Sequence, residues 1–214
     1  MNWIFLDFVP WDFDVSTPLQ RPLGGSQSAM CYLAVALARR GERVTMLTGT
    51  REQKMVQGVR CLPHEGIPAD VFAPPDTLTV VLNGPASMAQ AVREVLPREK
   101  PIILWTQHAH DQPAMQTLRD PATVALWDRI VCISDWQRQM FQQQFGIPAE
   151  KIDVLRNAIG PTFANLFETA SHLSAAKSPQ LRLAYTSTPF RGLDLLVASY
   201  PPVQSRHPNC RKAI

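Results

Sequence analysis

A series of short apolar runs, each ended by polar or turn-forming residues, limits this chain more than any other feature. Ile4–Val9, Arg43–Thr48, Thr77–Leu82, Pro101–Thr106, Arg129–Ser134 and Lys151–Leu155 all have strand length and few polar interruptions. A strand that is apolar on both sides is buried on both faces, the mark of a parallel sheet covered by helices. The intervening segments supply those helices. Met30, Leu33, Ala34 and Leu37 stand at i, i+3, i+4 and i+7, and Arg39, Arg40 and Gly41 close that helix. Ala86–Leu96 reads as a second helix, ended by Pro97. A third runs from Asp135 or Trp136 to about Phe145 and stops at Gly146 and Pro148. Val59–Pro63 is a further short strand after a loop at Arg51–Gly58. The fold class is therefore α/β, a doubly wound parallel sheet, whose ligands bind along the carboxyl edge of the strands.

The chain has 214 residues, enough for one such core with some sequence to spare. Residues 1–160 are assigned to a Rossmann-like domain. Residues 161–180 are a linker rich in Ala, Ser and Thr, with a weak helix over Ala164–Ala176. Residues 181–214 begin a second unit. It has a strand at Leu181–Thr186, a turn through Arg191-Gly192, and a helix at Leu193–Tyr200 that Pro201-Pro202 should end or kink. Asn209–Ile214 starts another strand.

Composition removes several function classes. A net charge of +3 is too small to argue for nucleic acid, though it permits weak contact with an anionic membrane surface. No apolar run approaches the roughly 20 residues of a spanning helix, and the N-terminus lacks the features of a signal peptide. Cys31, Cys61, Cys132 and Cys210 are scattered without a C-x-x-C pair. They read as reduced thiols of a cytoplasmic protein, Cys31 and Cys132 buried. His108 and His110 are the close histidine pair and have no third ligand nearby, so no metal is expected. Trp105, Trp127 and Trp136 are expected to be packing residues, and Gln142–Gln144 a solvated helix face.

The segment Pro22-Leu23-Gly24-Gly25-Ser26-Gln27-Ser28-Ala29 precedes the first long helix. Glycines there let a ligand approach the backbone, and a helix start offers free N–H groups and a positive dipole end to an anion. The same glycines would also serve a plain turn. The loop is long and carries Pro10, Pro18 and Pro22. It does not read G-x-G-x-x-G, and Leu47-Thr48-Gly49-Thr50 lacks the acidic residue of a nicotinamide site, so a dinucleotide-dependent dehydrogenase is disfavoured. Other polar residues follow strand ends: Asn83, His108, His110, Ser134 and Asn157. Each has a plain alternative, Asn83-Gly84 as a turn and the histidines as satisfied strand-end residues.

Taken in order, these pieces resemble a known family. They are the Gly-Gly loop, Ala38-Arg39-Arg40-Gly41-Glu42-Arg43-Val44-Thr45, a His after a mid-sheet strand, Cys132-Ile133-Ser134-Asp135-Trp136-Gln137, and the run from Ile147 to Ile159. Together they resemble the group-one glycosyltransferases, retaining enzymes of the GT-B fold. Ala158 departs from the Gly usual there. Tyr185–Asp194 is similar to the opening of that family's second domain, with Arg191-Gly192 at its basic-Gly position. Thr186-Ser187-Thr188 stands where a further cation is common.

The resemblance implies two Rossmann-like domains, the first for the acceptor and the second for a nucleotide-sugar donor. It implies that Gly24, Gly25, Arg191 and Gly192 bind donor phosphate, with His108 the catalytic residue beside the transferred sugar. His110, Asn83, Ser134 and Asn157 would contact acceptor or sugar. The nucleotide-sugar is a co-substrate, no separate cofactor is implied, and the acceptor would be a saccharide or lipid-linked. The family's second domain carries an acidic E-x7-E element beyond the point reached here, so the chain is expected to be an inactive or partial form, truncated early in that domain. The alternatives are a non-catalytic acceptor- or partner-binding half-module and a nucleotide-sugar epimerase of the same paired-domain fold. The expected location is cytoplasmic, with or without contact at the membrane's cytoplasmic face.

Overall fold

The computed structural model describes residues 1–160 and, of residues 161–214, all but Pro161, Thr162, Asn165, Pro179, Thr188 and Ile214. The chain divides into two compact units, Met1–Gly160 and Pro161–Ile214.

The first unit opens with β1 (Asn2–Leu6), a short α1 (Thr17–Gln20), the long α2 (Gly25–Arg39) and β2 (Arg43–Thr48). Then come β3 (Lys54–Val56), β4 (Val59–Pro63), β5 (Thr77–Leu82), α3 (Ala86–Val95) and β6 (Ile102–Thr106). It ends with α4 (Pro121–Leu126), β7 (Arg129–Cys132), α5 (Asp135–Phe145) and β8 (Ile152–Val154). The eight strands form one sheet in the order β3-β4-β2-β1-β5-β6-β7-β8. Every neighbour pair is parallel except β3 with β4.

The antiparallel β3 is absent from the sequence reading, which takes Arg51–Gly58 as a loop. Its turn is two residues long, Gln57 and Gly58, both at positive φ (49° and 82°). Positive φ at both positions matches the sheet's twist and closes a tight hairpin. Strand ends also shift. β1 stops at Leu6 rather than Val9 because the Asp7 carboxylate accepts the Val9 N–H at 3.0 Å and turns the chain. β7 stops at Cys132 because Ser134 leaves the sheet to cap α5, its hydroxyl accepting the Gln137 N–H at 3.1 Å. Gly146 ends α5 in the left-handed region (φ 65°), where glycine carries no side-chain penalty.

Alternation along the strands builds a core on each face of the sheet. Ile4, Leu6, Leu47, Leu62, Val81, Leu104, Ile130 and Cys132 lie in one cluster with Trp127 and Phe141. Phe5, Met46, Cys61, Val80 and Trp105 lie in the other, with Met30, Cys31 and Ala34 of α2. Full burial of a side chain such as Phe5 or Phe141 contributes about 1.5–3 kcal/mol. The long β1–α2 connection is not loose. Phe13 and Val15 are buried within it, and the Thr48 hydroxyl donates to the Phe13 carbonyl at 2.7 Å. Its Asp14 pairs with Lys54 at 2.6 Å, tying the loop to the hairpin.

All four cysteines are free and buried. Burial raises the Cys61 thiol to about 11 and Cys132 to about 12, so both stay protonated and unreactive at neutral pH. Trp105 and Trp127 are core residues, but Trp136 is not: it is 57% exposed on the first turn of α5, contrary to its expected packing role. That turn faces inward through Gln137 instead, which is buried and fully bonded.

The second unit contains α6 (Ala170–Ala176), β9 (Arg182–Ala184), α7 (Leu193–Arg206) and β10 (Arg211–Ala213). β9 and β10 are parallel, so with α7 they make a βαβ unit. Of the expected helix Ala164–Ala176, the part from Ala170 forms, started by Thr169, whose hydroxyl accepts the His172 N–H; Asn165 lies outside the described residues. Pro201 and Pro202 do not end α7, which continues to Arg206. Proline's φ suits a helix, and both prolines are on an exposed face where water can bond the carbonyls they leave unpaired. Thr188, in the turn before α7, and Ile214, after β10, also lie outside the described residues.

Candidate functional site

The carboxyl ends of β1, β5, β6, β7 and β8 stand side by side along one edge of the first unit's sheet. The sequence-predicted residues of that unit, Gly24, Gly25, Asn83, His108, His110, Ser134 and Asn157, all follow those ends.

At the β1 end, α2 starts with Gly24 as its N-cap, at φ −56° and ψ 146°. The first intrahelical bond runs from the Ser28 N–H to the Gly24 carbonyl at 2.8 Å. The N–H groups of Gly25, Ser26 and Gln27 therefore have no intrahelical acceptor, and no acidic residue occupies the first turn. A Cβ on Gly24 would overlap the Oε1 of Gln27. Gly25 differs: its φ is ordinary, and a Cβ there would meet nothing within 4 Å. Backbone strain is therefore no reason for glycine at this position, and the space over the helix start is open. Below the loop, buried Asp7 accepts from Gln27 Nε2 at 2.8 Å. Desolvation raises the Asp7 pKa above its ordinary value, against the opposing effects of the Val9 N–H, Gln27 and the nearby His64.

At the β5 and β6 ends, Asn83 has φ 52°, and its Oδ1 accepts the Gln107 N–H at 2.8 Å. The Thr106 hydroxyl also lies within bonding distance of that oxygen, at 3.3 Å, and accepts the His108 N–H at 3.1 Å. Asn83 thereby clips β5 to β6. Gln107 and Asn157 form a reciprocal amide pair, with Nδ2 of Asn157 donating to Oε1 of Gln107 at 3.0 Å and the reverse bond at 3.3 Å. The main chain at His108 is held from a third side. Gln137 Nε2 donates to the Thr106 carbonyl at 3.1 Å and to the His108 carbonyl at 2.8 Å, while its Oε1 accepts the Ile133 N–H at 2.7 Å. His110 follows, its carbonyl accepting from Gln116 Nε2 at 2.6 Å and its ring edge-on to Trp136. Asp135 pairs with Arg156 at 2.6 Å and with Arg138 at 3.0 Å.

Asn83 and Ser134 thus have structural bonds of their own, and Asn157 is exposed beside Gln107. Arg191 and Gly192 belong to the second unit. Arg191 is exposed at the end of a 3-10 turn, and Gly192 caps α7 at φ 100°, in the left-handed region. Among the described residues no group of three His, Cys, Asp or Glu could hold a metal ion. No helix among them is long and apolar enough to cross a membrane.

Two solved structures are similar to this chain in fold. A glycosyltransferase from Rickettsia africae ESF-5 is similar over 97% of this chain and 62% of its own, with a TM-score of 0.58 and 14% identity. WaaG, a glycosyltransferase involved in lipopolysaccharide biosynthesis, is similar over 98% of this chain and 62% of its own, with a TM-score of 0.53 and 15% identity. The eight-stranded first unit has the fold of a GT-B Rossmann-like domain. The chain spans 62% of the length of each of these two structures. No protein-family model matches it, and no curated protein matches it in sequence.

The sequence reading missed Asp7, Gln27, Gln107 and Gln137 as parts of the edge. Each had a signal: an acid at a strand end, a glutamine in a first helical turn, or an amide beside a predicted site residue.

Proposed function

We propose that this chain forms the acceptor-side domain, residues 1–160, and the opening of the donor-side domain, residues 181–214, of a retaining sugar transferase. The observation that carries the reading is the placement of His108 and the Gly24-Gly25 helix start on one carboxyl edge of a sheet with the GT-B fold. The two structural relatives, both glycosyltransferases, favour transfer over epimerisation or binding alone.

In this reading the donor is a nucleoside-diphosphate sugar. Its bond from the anomeric carbon to the diphosphate oxygen breaks, and a new bond to an acceptor hydroxyl forms. The hydroxyl proton passes to the departing phosphate. Negative charge grows on the diphosphate, and fixed N–H groups at the α2 start meet it without reorganisation. A helix of 15 residues adds a positive dipole end equivalent to about half a charge. In the second unit, Arg191 and the backbone at Gly192 are groups of the kind that bind donor phosphate. His108, its main chain fixed by Gln137 and Thr106, bonds a hydroxyl of the transferred sugar. His110, Asn83, Ser134 and Asn157 line the sugar and acceptor side. The acceptor is a saccharide or a lipid-linked saccharide, and the work is cytoplasmic, where four free buried thiols remain reduced.

Calorimetric titration with UDP-glucose and GDP-mannose tests the donor seat. Weak binding, in the millimolar range, is expected for the wild-type chain, with loss in Gly25→Val and in His108→Ala. Binding unchanged by both substitutions would overturn the assignment.

A further inference from the structure

The reaction outlined above gives Trp136 no task. Yet Trp136 is 57% exposed at the carboxyl edge, two residues after the serine that caps α5. A side chain of that size is ordinarily spent on a core or an interface. The ring is also not loosely placed. It stands edge-to-face with His110, centroids 6.3 Å apart and planes at 63°. The helical turn that carries it is fixed by the Ser134 cap and by the three bonds of Gln137.

Its surroundings along the chain are planar and polar. Asp135, its neighbour in sequence, holds Arg156 at 2.6 Å. Next to Arg156 is Asn157, already paired with Gln107. A pyranose ring has an apolar C–H face and a rim of hydroxyls that donate and accept. A site for it needs a flat exposed aromatic beside carboxylate, guanidinium and amide groups whose positions are set in advance. Trp136 supplies the aromatic at this edge, and Asp135, Arg156, Gln107 and Asn157, each held by its own ion pair or amide bonds, supply the polar groups.

We propose that Trp136 is the stacking platform of an acceptor subsite that takes a saccharide ring, with Asp135, Arg156, Gln107 and Asn157 reading the hydroxyl rim. The inference rests on the transferase reading and narrows its acceptor to one recognised through a sugar ring rather than through a lipid. A membrane-seated tryptophan would instead sit among other exposed apolar side chains. The helix of Trp136 exposes Gln139, Gln143 and Gln144, and no other large hydrophobic on it is exposed.

The test uses 1H–15N spectra of the 214-residue chain, with the Trp136 indole N–H assigned through Trp136→Phe. Three probes are added separately at millimolar concentration: methyl glycosides of glucose, galactose and mannose; UDP and GDP; and phosphatidylglycerol vesicles. The expected result is a saturable shift of the Trp136 indole signal with at least one glycoside. The accompanying shifts at Gln107 and Asn157 should vanish in Trp136→Ala, which should melt like the wild type. No shift with any glycoside, or a response to vesicles alone, overturns the proposal. The nucleotides are read at Gly25 and His108. A nucleotide response without a glycoside response therefore rejects the subsite and leaves the transferase reading standing. A glycoside response alone supports the subsite and counts against the donor seat.

Discussion

Gln137 holds the main chain of His108: its Nε2 donates to the His108 carbonyl at 2.8 Å, across 29 residues of sequence. The same amide bonds the Thr106 carbonyl and the Ile133 N–H, so one buried side chain joins the ends of β6 and β7 and the start of α5. The role proposed for His108 needs placement to within a fraction of an ångström, and its main chain is set by a residue in another element.

Gln137→Leu keeps the bulk of the side chain and removes all three bonds. Buried groups left unsatisfied cost about 1–3 kcal/mol each, though not additively, so a total loss of about 2–4 kcal/mol is expected. Urea denaturation measures it. A loss below about 0.5 kcal/mol would mean that water replaces the amide and that the bracket is not structural.

Gly24 and Gly25 should separate when each is changed to alanine. Gly24→Ala would push on Gln27 Oε1, and Gln27 cannot yield freely because Asp7 holds its other amide atom at 2.8 Å. A loss of about 1–2 kcal/mol is expected. Gly25→Ala meets open space at a helical φ, so stability should hold or rise by at most about 1 kcal/mol. Equal losses at both positions, read as melting temperatures, would contradict this geometry.

These details mark how far the sequence could be read. The sheet was legible because its strands are apolar on both faces, as Thr77–Leu82 is, and because Gly146 and Pro97 mark helix ends. The polar edge was legible as a set of positions following strands. What was not legible is which polar groups also hold the edge together. The sequence places Asn83 at a strand end, but not the bond from the Gln107 N–H to its oxygen, a pairing of residues 24 apart. Trp136 reads as packing because tryptophans usually pack, and only the inward turn of Gln137 at the next position shows that it faces out. The β3–β4 hairpin escaped notice because Gln57 is an unusual residue at positive φ.

The first unit should melt on its own. Its two core clusters draw every buried member from Ile4 to Ile152, and among described residues of the second unit only Cys210 is a buried hydrophobic. A chain ending at Gly160 should therefore keep the melting temperature of the first unit to within about 3 °C, as a loss below 1 kcal/mol implies. A much larger fall, followed by circular dichroism, would show that the second unit completes the first unit's core.

Asp7 should give the stability a specific pH dependence. It is buried, and desolvation raises its pKa above the ordinary value of 3.8, so the folded chain holds the proton more tightly than the unfolded chain does. For an acid raised in this way, the favourable contribution is complete below the unfolded value and is lost as pH rises through the folded value. Asp7→Asn keeps an acceptor for the Val9 N–H and cannot ionise. Whatever its absolute stability, its melting temperature should improve relative to wild type as pH rises above about 4 and through the raised folded value. The groups that oppose the shift, Gln27 and His64, limit its size but not its sign. A difference between the two proteins that stays constant over this range would mean that the Asp7 carboxylate is solvated in the folded state, and that its bond to Gln27 does not lie in a buried setting.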